Sequence, residues 1–260
     1  MPSWDAAQYL RFGDERTRPC EDLAGRIAVS APSRVVDLGC GPGNSTDVLA
    51  RRWPSAELTG LDSSEAMIGA ARRAFPERRW ILGDIEGWAA QGGEPFDVVF
   101  SNAALHWVAD HGALYPRLFE RAAPGGALAV QVPGNHDGPV HTILRDLAAS
   151  ARWRDRFAAR AVRDSHVHNL DFYYDVLAPR AARLDLWATE YLHVMAGPEA
   201  IVEWYKGSGM RPYLDALGSE EAAGEFVGEV LERVRASFPP RPSGRTLFPF
   251  RRLFVVAYRA

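Results

Sequence analysis

Cysteine is nearly absent from this chain, with only Cys20 and Cys40 among 260 residues. Two cysteines this far apart fit neither a zinc pattern nor a disulfide framework. A reduced, cytosolic protein without a metal is the expectation. No apolar run reaches the roughly 18 residues that a membrane helix needs, and residues 1–10 carry no signal-peptide pattern. An excess of positive charge is missing too: net charge is −3, so the bulk balance shows no nucleic-acid footprint. Lysine is the rarest basic residue, since 29 of the 30 cationic side chains are arginine and Lys206 is the one lysine. That bias has the look of a GC-rich coding preference, and it singles out Lys206. No internal repeat or low-complexity tract is evident. What remains is an ordinary globular composition, 47% apolar, in a chain long enough for one large domain, or a domain with a lid.

Residues 34–44 read Arg-Val-Val-Asp-Leu-Gly-Cys-Gly-Pro-Gly-Asn. A short apolar strand ends in three closely spaced glycines, which allow positive φ and let a ligand press on the main chain. A helix follows, and its N-terminus offers free N–H groups. A second strand, residues 56–61, ends at Asp62, a carboxylate placed to accept both hydroxyls of a ribose. The glycines fall at Gly39, Gly41 and Gly43, with Asn44 where a dinucleotide fingerprint has its third glycine. Asp37 lies two residues before the first glycine. A pyrophosphate would be repelled by that anion, whereas a cationic ligand would be attracted. The D-x-G-x-G-x-G spacing therefore suits S-adenosylmethionine, which carries a sulfonium and an ammonium and no phosphate. An NAD-dependent oxidoreductase is the rival at the level of the fold.

Apolar segments alternate with helical ones through the first half. Strands are expected at 34–38, 56–61, 80–82, 96–101 and 127–132, and helices at 45–52, 64–74 and 114–121. This order implies a doubly wound, mostly parallel sheet with helices on both faces. Ligands in such sheets bind beyond the carboxyl ends of the strands, where Asp37, Asp62, Asp84 and Asn102 all fall. Residues 4–29 have helical spacing broken by Pro19, forming an N-terminal cap over 1–30. In the second half, 140–157 and 172–177 read as helices, 182–195 as a long strand or a bent pair of strands, and 247–259 as a final strand. Between these two strands lies a segment too long for a hairpin loop. Its region 198–240 is expected to form a helical lid within a single domain of residues 1–260.

Further blocks narrow the comparison. Residues 9–16 (Tyr-Leu-Arg-Phe-Gly-Asp-Glu-Arg), 36–44, 61–64, 101–108 (Ser-Asn-Ala-Ala-Leu-His-Trp-Val) and 130–135 (Val-Gln-Val-Pro-Gly-Asn) are the first of them. Trp187, residues 190–193, 202–204 and 248–252 complete the set. Together they resemble the trans-aconitate 2-methyltransferases, within the class I methyltransferases. The likeness runs end to end. Ser45-Thr46-Asp47 stands where that family often has Leu-Thr, a departure read as neutral. The resemblance implies a Rossmann-like seven-stranded sheet whose last strand is antiparallel, with the lid inserted between strands six and seven. It also implies methyl transfer from S-adenosylmethionine to a carboxylate of trans-aconitate or a related polycarboxylate, leaving S-adenosylhomocysteine. The alternative acceptor is another small organic or carrier-bound acid. Neither a nucleic acid nor a membrane is an expected partner, and nothing demands more than a monomer.

The cofactor contacts that the resemblance implies are Tyr9, Asp37, Gly39, Gly41, Asn44, Asp62, Ser63, Met67, Asp84, Ile85 and Asn102. Asp84 could instead be only a helix cap, and Met67 only a core residue. For the acid, Trp107 could donate its indole N–H to the reacting carboxylate, with His106 beside it. Lys206, Arg211, Arg251 and His193 would serve the remaining carboxylates, because guanidinium forks bind such groups bidentately. Arg251 and Arg252 are adjacent on a strand and point to opposite faces, so one at most enters a site. A carboxylate with an ordinary pKa is already ionised at neutral pH, and no general base is expected.

Overall fold

The computed structural model describes residues 13–158 and 166–260. Seven strands form one sheet in the order β3-β2-β1-β4-β5-β7-β6. They are β1 (Arg34–Leu38), β2 (Glu57–Asp62), β3 (Arg79–Leu82), β4 (Phe96–Asn102), β5 (Ala122–Pro133), β6 (Arg183–Met195) and β7 (Thr246–Tyr258). Strands β1 to β5 pair in parallel, and β7 runs antiparallel to β5. This is the mixed, Rossmann-like sheet expected from the sequence.

The chain divides into two compact units. The larger holds, of the described residues, 13–134, 166–189 and 252–260; the other holds 135–158 and 190–251. In the larger unit the period-2 geometry of strands sorts side chains to two faces. One face carries Val36, Val99, Val130 and Val255 into a core with Leu114, Tyr115 and Leu118 of α5 (His111–Glu120) and Tyr173 and Leu177 of α8 (Leu170–Leu177). The helices α1 (Gly13–Arg26) and α2 (Asn44–Arg52) touch β5 and β2 respectively and bury Leu23 and Leu49. Two further helices, α3 (Glu65–Ala74) and α4 (Ile85–Ala90), are capped by Ser64 and Asp84, each accepting a backbone N–H three residues on. The expectation that Pro19 breaks the first helix is corrected, because Pro19 lies inside α1. A proline there forfeits one backbone hydrogen bond, and burial of neighbouring Cys20, Leu23 and Ile27 offsets the loss.

The second unit has its own core. Helices α6 (Pro139–Ala149), α7 (Arg154–Ala158), α9 (Pro198–Lys206), α10 (Arg211–Leu217) and α11 (Glu220–Ser237) supply it with the outer parts of β6 and β7. The single helix expected over 140–157 is two. Ser150 adopts an extended conformation after α6, and the turn that follows buries Trp153 completely. Between α10 and α11, Gly218 takes φ +70° and Ser219 caps the next helix through Ala222 N–H.

Aromatic rings set the stability of this second core. Phe226 is fully buried, with Trp153, Phe157 and Tyr213 at centroid distances of 5.2, 5.4 and 6.0 Å. Truncating a buried Phe leaves a cavity and costs about 3–5 kcal/mol. Phe226→Ala is therefore expected to lower the urea midpoint by that equivalent, with tryptophan fluorescence as the probe; an unchanged midpoint would show that this core contributes little.

Candidate active site at the carboxyl ends of the strands

The site begins with a carboxylate in an apolar strand. Asp37 is 1% exposed on β1. Its Oδ2 accepts hydrogen bonds from Ser45 Oγ at 2.6 Å and Thr46 Oγ1 at 2.7 Å, both from the first turn of α2. Its Oδ1 has no partner among the described residues. Burial raises its pKa to about 6, the two hydroxyls pull it down, and Asp62 pushes it up. An ammonium or sulfonium brought to Oδ1 would hold the ionised form. The Ser45 hydroxyl thus has a definite task, which the reading of that position as neutral missed.

The glycine loop leaves room for such a ligand. Gly39 and Gly41 have φ +74° and +55°. A Cβ on Gly39 would lie 2.1 Å from Ala104 Cβ, whereas nothing lies within 4 Å of one on Gly41. The first glycine is needed for a close approach between two loops. The second keeps bare backbone beside open space. Ala103 tightens the same junction in the left-handed region, at φ 54°, which costs a non-glycine residue roughly 1 kcal/mol. Its N–H is held by Gln131 O at 2.9 Å.

Asp62 ends β2, and its oxygens accept from Gly41 N–H and Ser64 N–H, each at 2.9 Å. These bonds fix the plane of the carboxylate against the glycine loop. An ionised carboxylate has about four acceptor directions, so capacity remains for vicinal hydroxyls. Its pKa is raised, first by burial. Asp84 is exposed and caps α4 through Gly87 N–H at 2.6 Å. That cap occupies Oδ1, so its adenine role would fall to Oδ2. Ile85 opens α4 and is half-buried, Ser63 is exposed, and Asn44 is half-buried at the start of α2. Met67 is 5% exposed, as its reading as a core residue expects. Asn102 ends β4, with Oδ1 buried and without a partner among the described residues. Tyr9 lies outside the described residues.

A 3-10 turn after β4, Leu105–Trp107, carries the residues assigned to the methyl acceptor. His106 is buried and packs on Trp107 at 4.6 Å between ring centroids. Its backbone carbonyl accepts from His166 N–H at 2.9 Å. Trp107 is half-exposed. The remaining acid-binding candidates belong to the second unit. There Lys206 pairs with Glu203, and Arg211 with Asp215 at 3.0 Å. His193 is buried, with the rings of Trp204 and Phe250 at 5.2 and 6.1 Å; it sits in an aromatic core. Arg251 is exposed and Arg252 is 4% exposed. The strand alternation that places the two on opposite faces buries the arginine that the sequence reading did not select.

A methyltransferase domain model matches residues 35–126. The trans-aconitate 2-methyltransferase of Paracidovorax citrulli is 46% identical over 260 residues, all of both chains. The enzyme of that name from Azoarcus sp. is likewise 46% identical over the full length of both. The chain belongs to the trans-aconitate 2-methyltransferase family. Among solved structures, Haemonchus contortus phosphoethanolamine N-methyltransferase 2 with S-adenosyl-L-methionine gives a TM-score of 0.60 at 15% identity, over 98% of this chain and 56% of that one. The YcgJ protein of Bacillus subtilis gives 0.57 at 13% identity, over 93% and 98%. At those identities the likeness concerns the fold.

S-adenosylmethionine is the cofactor of a methyltransferase, and the residues expected to hold it have chemistry that fits it. A buried carboxylate oxygen without a partner suits the ammonium, an acidic strand end suits the ribose, and open bare backbone lies between them in sequence at Gly41. Two pH effects follow from Asp37. Between the ordinary carboxylate value near 3.8 and about 6, the folded protein holds a proton that the unfolded chain has released. Stability of the ligand-free protein should therefore fall as pH rises through that window and level off above it. Asp37→Asn should make that slope shallower in melting experiments, leaving the part that the raised pKa of Asp62 contributes. Affinity for adenosylhomocysteine should rise with pH to a plateau above about 6, measured by calorimetry, and the variant should bind more weakly without that pH step.

Proposed function

We propose that this chain transfers a methyl group from S-adenosylmethionine to a carboxylate of trans-aconitate, forming the monomethyl ester. The observation that carries this reading is the end-to-end identity with relatives of that name, which includes the helical unit as well as the cofactor half. S-adenosylmethionine supplies, when bound, a methyl group on a positively charged sulfur. The chain's residues have the task of holding charges and excluding water.

Asp37 Oδ1 takes the ammonium, and Asp62 takes the ribose hydroxyls. Asp84 Oδ2 and the Ile85 N–H take the edge of the adenine. Asn102 borders the methionine end, with the Gly39–Gly41 backbone against it. Trp107 directs its indole N–H to the acid, beside His106. An acid ionised at neutral pH attacks without a base, so no side chain needs to remove a proton. In-line attack of an anion on a cation neutralises charge, and water stabilises the separated ions more than the transition state. Orientation and exclusion of water therefore supply the acceleration. Lys206 and Arg211 are the cations proposed for the acid's other carboxylates. Each has N–H donors beyond the one directed at Glu203 or Asp215, because an ammonium carries three and a guanidinium five.

The test is to incubate the protein with methyl-labelled S-adenosylmethionine and a panel of organic acids, and to identify esters by mass spectrometry. Labelled trans-aconitate monomethyl ester is expected; label only on a different acid would overturn the assignment. Lys206→Met and Arg211→Met should each raise KM for trans-aconitate about 10-fold or more, the worth of one charge-assisted hydrogen bond. An unaltered KM in both would remove these two residues from the acid site.

A further inference from the structure

Gln131 is the polar residue in β5 that the mechanism leaves without a task. It is fully buried between Val130 and Val132, in a strand whose Ala127, Leu128 and Ala129 are buried as well. Both Oε1 and Nε2 are buried without a hydrogen-bond partner among the described residues. An apolar side chain would fill that position with no unmet hydrogen bond, so the amide is a burden on folding. Such a group calls for a ligand.

Its neighbours show which end of the sheet it serves. Gln131 pairs in register with Asn102 on β4, and Asp37 pairs with Phe100, one pleat below Asn102. Strand periodicity puts all three side chains on the same face of the sheet. Asp37 Oδ1 and Asn102 Oδ1 are the other unmet polar atoms of this row. Three adjacent strands thus carry unmet polar atoms side by side near their carboxyl ends, the ligand-binding edge of a doubly wound sheet. Asp37 and Asn102 present acceptors, suited to a cation. Gln131 adds a fully buried donor without a partner among the described residues, its Nε2 amide, suited to an anion.

We propose that Gln131 holds the carboxylate that is methylated, donating from Nε2 to the oxygen that does not react. This rests on the carboxyl-methyltransferase reading above. The choice of an amide has a chemical reason. A guanidinium or ammonium at the reacting carboxylate would draw off the charge that makes it nucleophilic, whereas a neutral N–H orients it and leaves that charge largely in place. The free oxygen's lone pair forms the new C–O bond, the C–S electron pair stays on sulfur, and no proton moves. Gln131 is thereby a substrate-orienting residue, distinct from the cations assigned to the other carboxylates.

Gln131→Leu and Gln131→Met remove the amide at similar volume and test this together, so that failure of one to fold leaves the other. Both should melt at or above the wild-type temperature without ligand and bind adenosylhomocysteine within about 2-fold of wild type. Their kcat/KM for trans-aconitate should fall about 10- to 100-fold. Calorimetric affinity of the adenosylhomocysteine-bound protein for trans-aconitate should fall in parallel. A kcat/KM within 2-fold of wild type would overturn the proposal. So would an equal loss of adenosylhomocysteine affinity, which would assign the amide to the cofactor's own carboxylate. Wild-type turnover in the same assay keeps the two questions apart. If wild type esterifies a different acid, the substrate reading fails, and the Gln131 comparison is made on that acid.

Discussion

A carboxylate in the interior of a sheet is the most demanding feature of this fold, and much of the site is arranged around it. Asp37 occupies a strand position where its neighbours are valine and leucine. Burial alone pushes it toward the neutral form, which could not attract a cation. Two hydroxyls in the first turn of α2 bond to one of its oxygens and restore part of the preference for charge. For those hydroxyls to reach, α2 must start immediately after the glycine loop. That requires the left-handed turns at Gly39, Gly41 and Gly43. The loop, the helix start and the carboxylate are therefore one arrangement. Asp62 joins it by accepting from the Gly41 N–H, so the acidic end of β2 and the glycine loop are held in a common geometry.

The other side of the same loop explains the left-handed alanine. Gly39 has no side chain because Ala104 occupies the place where one would be. Ala104 is there because the chain leaves β4 through Ala103 at positive φ, a strain compensated by the hydrogen bond from its N–H to Gln131 O. Strain at such a junction is typical of loops that hold a ligand or a reacting group in one geometry. The next three residues are the turn containing His106 and Trp107. The glycine loop and the residues leading into the 105–107 turn thus meet through an alanine contact, and β5 supplies the Gln131 carbonyl to that junction.

Motifs with a backbone requirement could be recognised at once. Three glycines after an apolar strand, an acid before them and another at the end of the next strand describe a left-handed turn flanked by two carboxylates without knowledge of the rest. The central strands were also readable, since a parallel sheet covered on both faces keeps their middles apolar, as at Val35 and Val36 in β1 and Val98, Val99 and Phe100 in β4. Residues whose role depends on a partner distant in sequence were not. Gln131 looked like one polar residue in a family-like block, and only its pairing with Asn102 sets it in a row with Asp37. Arg251 and Arg252 could be separated by face, but the choice of the buried one required the packing of β7. The aromatic surroundings of His193 likewise arise only from packing.

The amino-acid order by itself determined the type of sheet, the position of the glycine turn and the acids beside it, and hence the preference of that place for positive charge, because these follow from short-range rules of periodicity, glycine geometry and Coulomb attraction. Tertiary structure decided which hydroxyls support Asp37 and how the second half of the chain is organised. It also decided that Pro19 could stay in a helix and that residues 140–157 form two helices around a buried tryptophan. Those outcomes depend on which surfaces are removed from water, and burial arises from contacts between residues that the sequence keeps far apart.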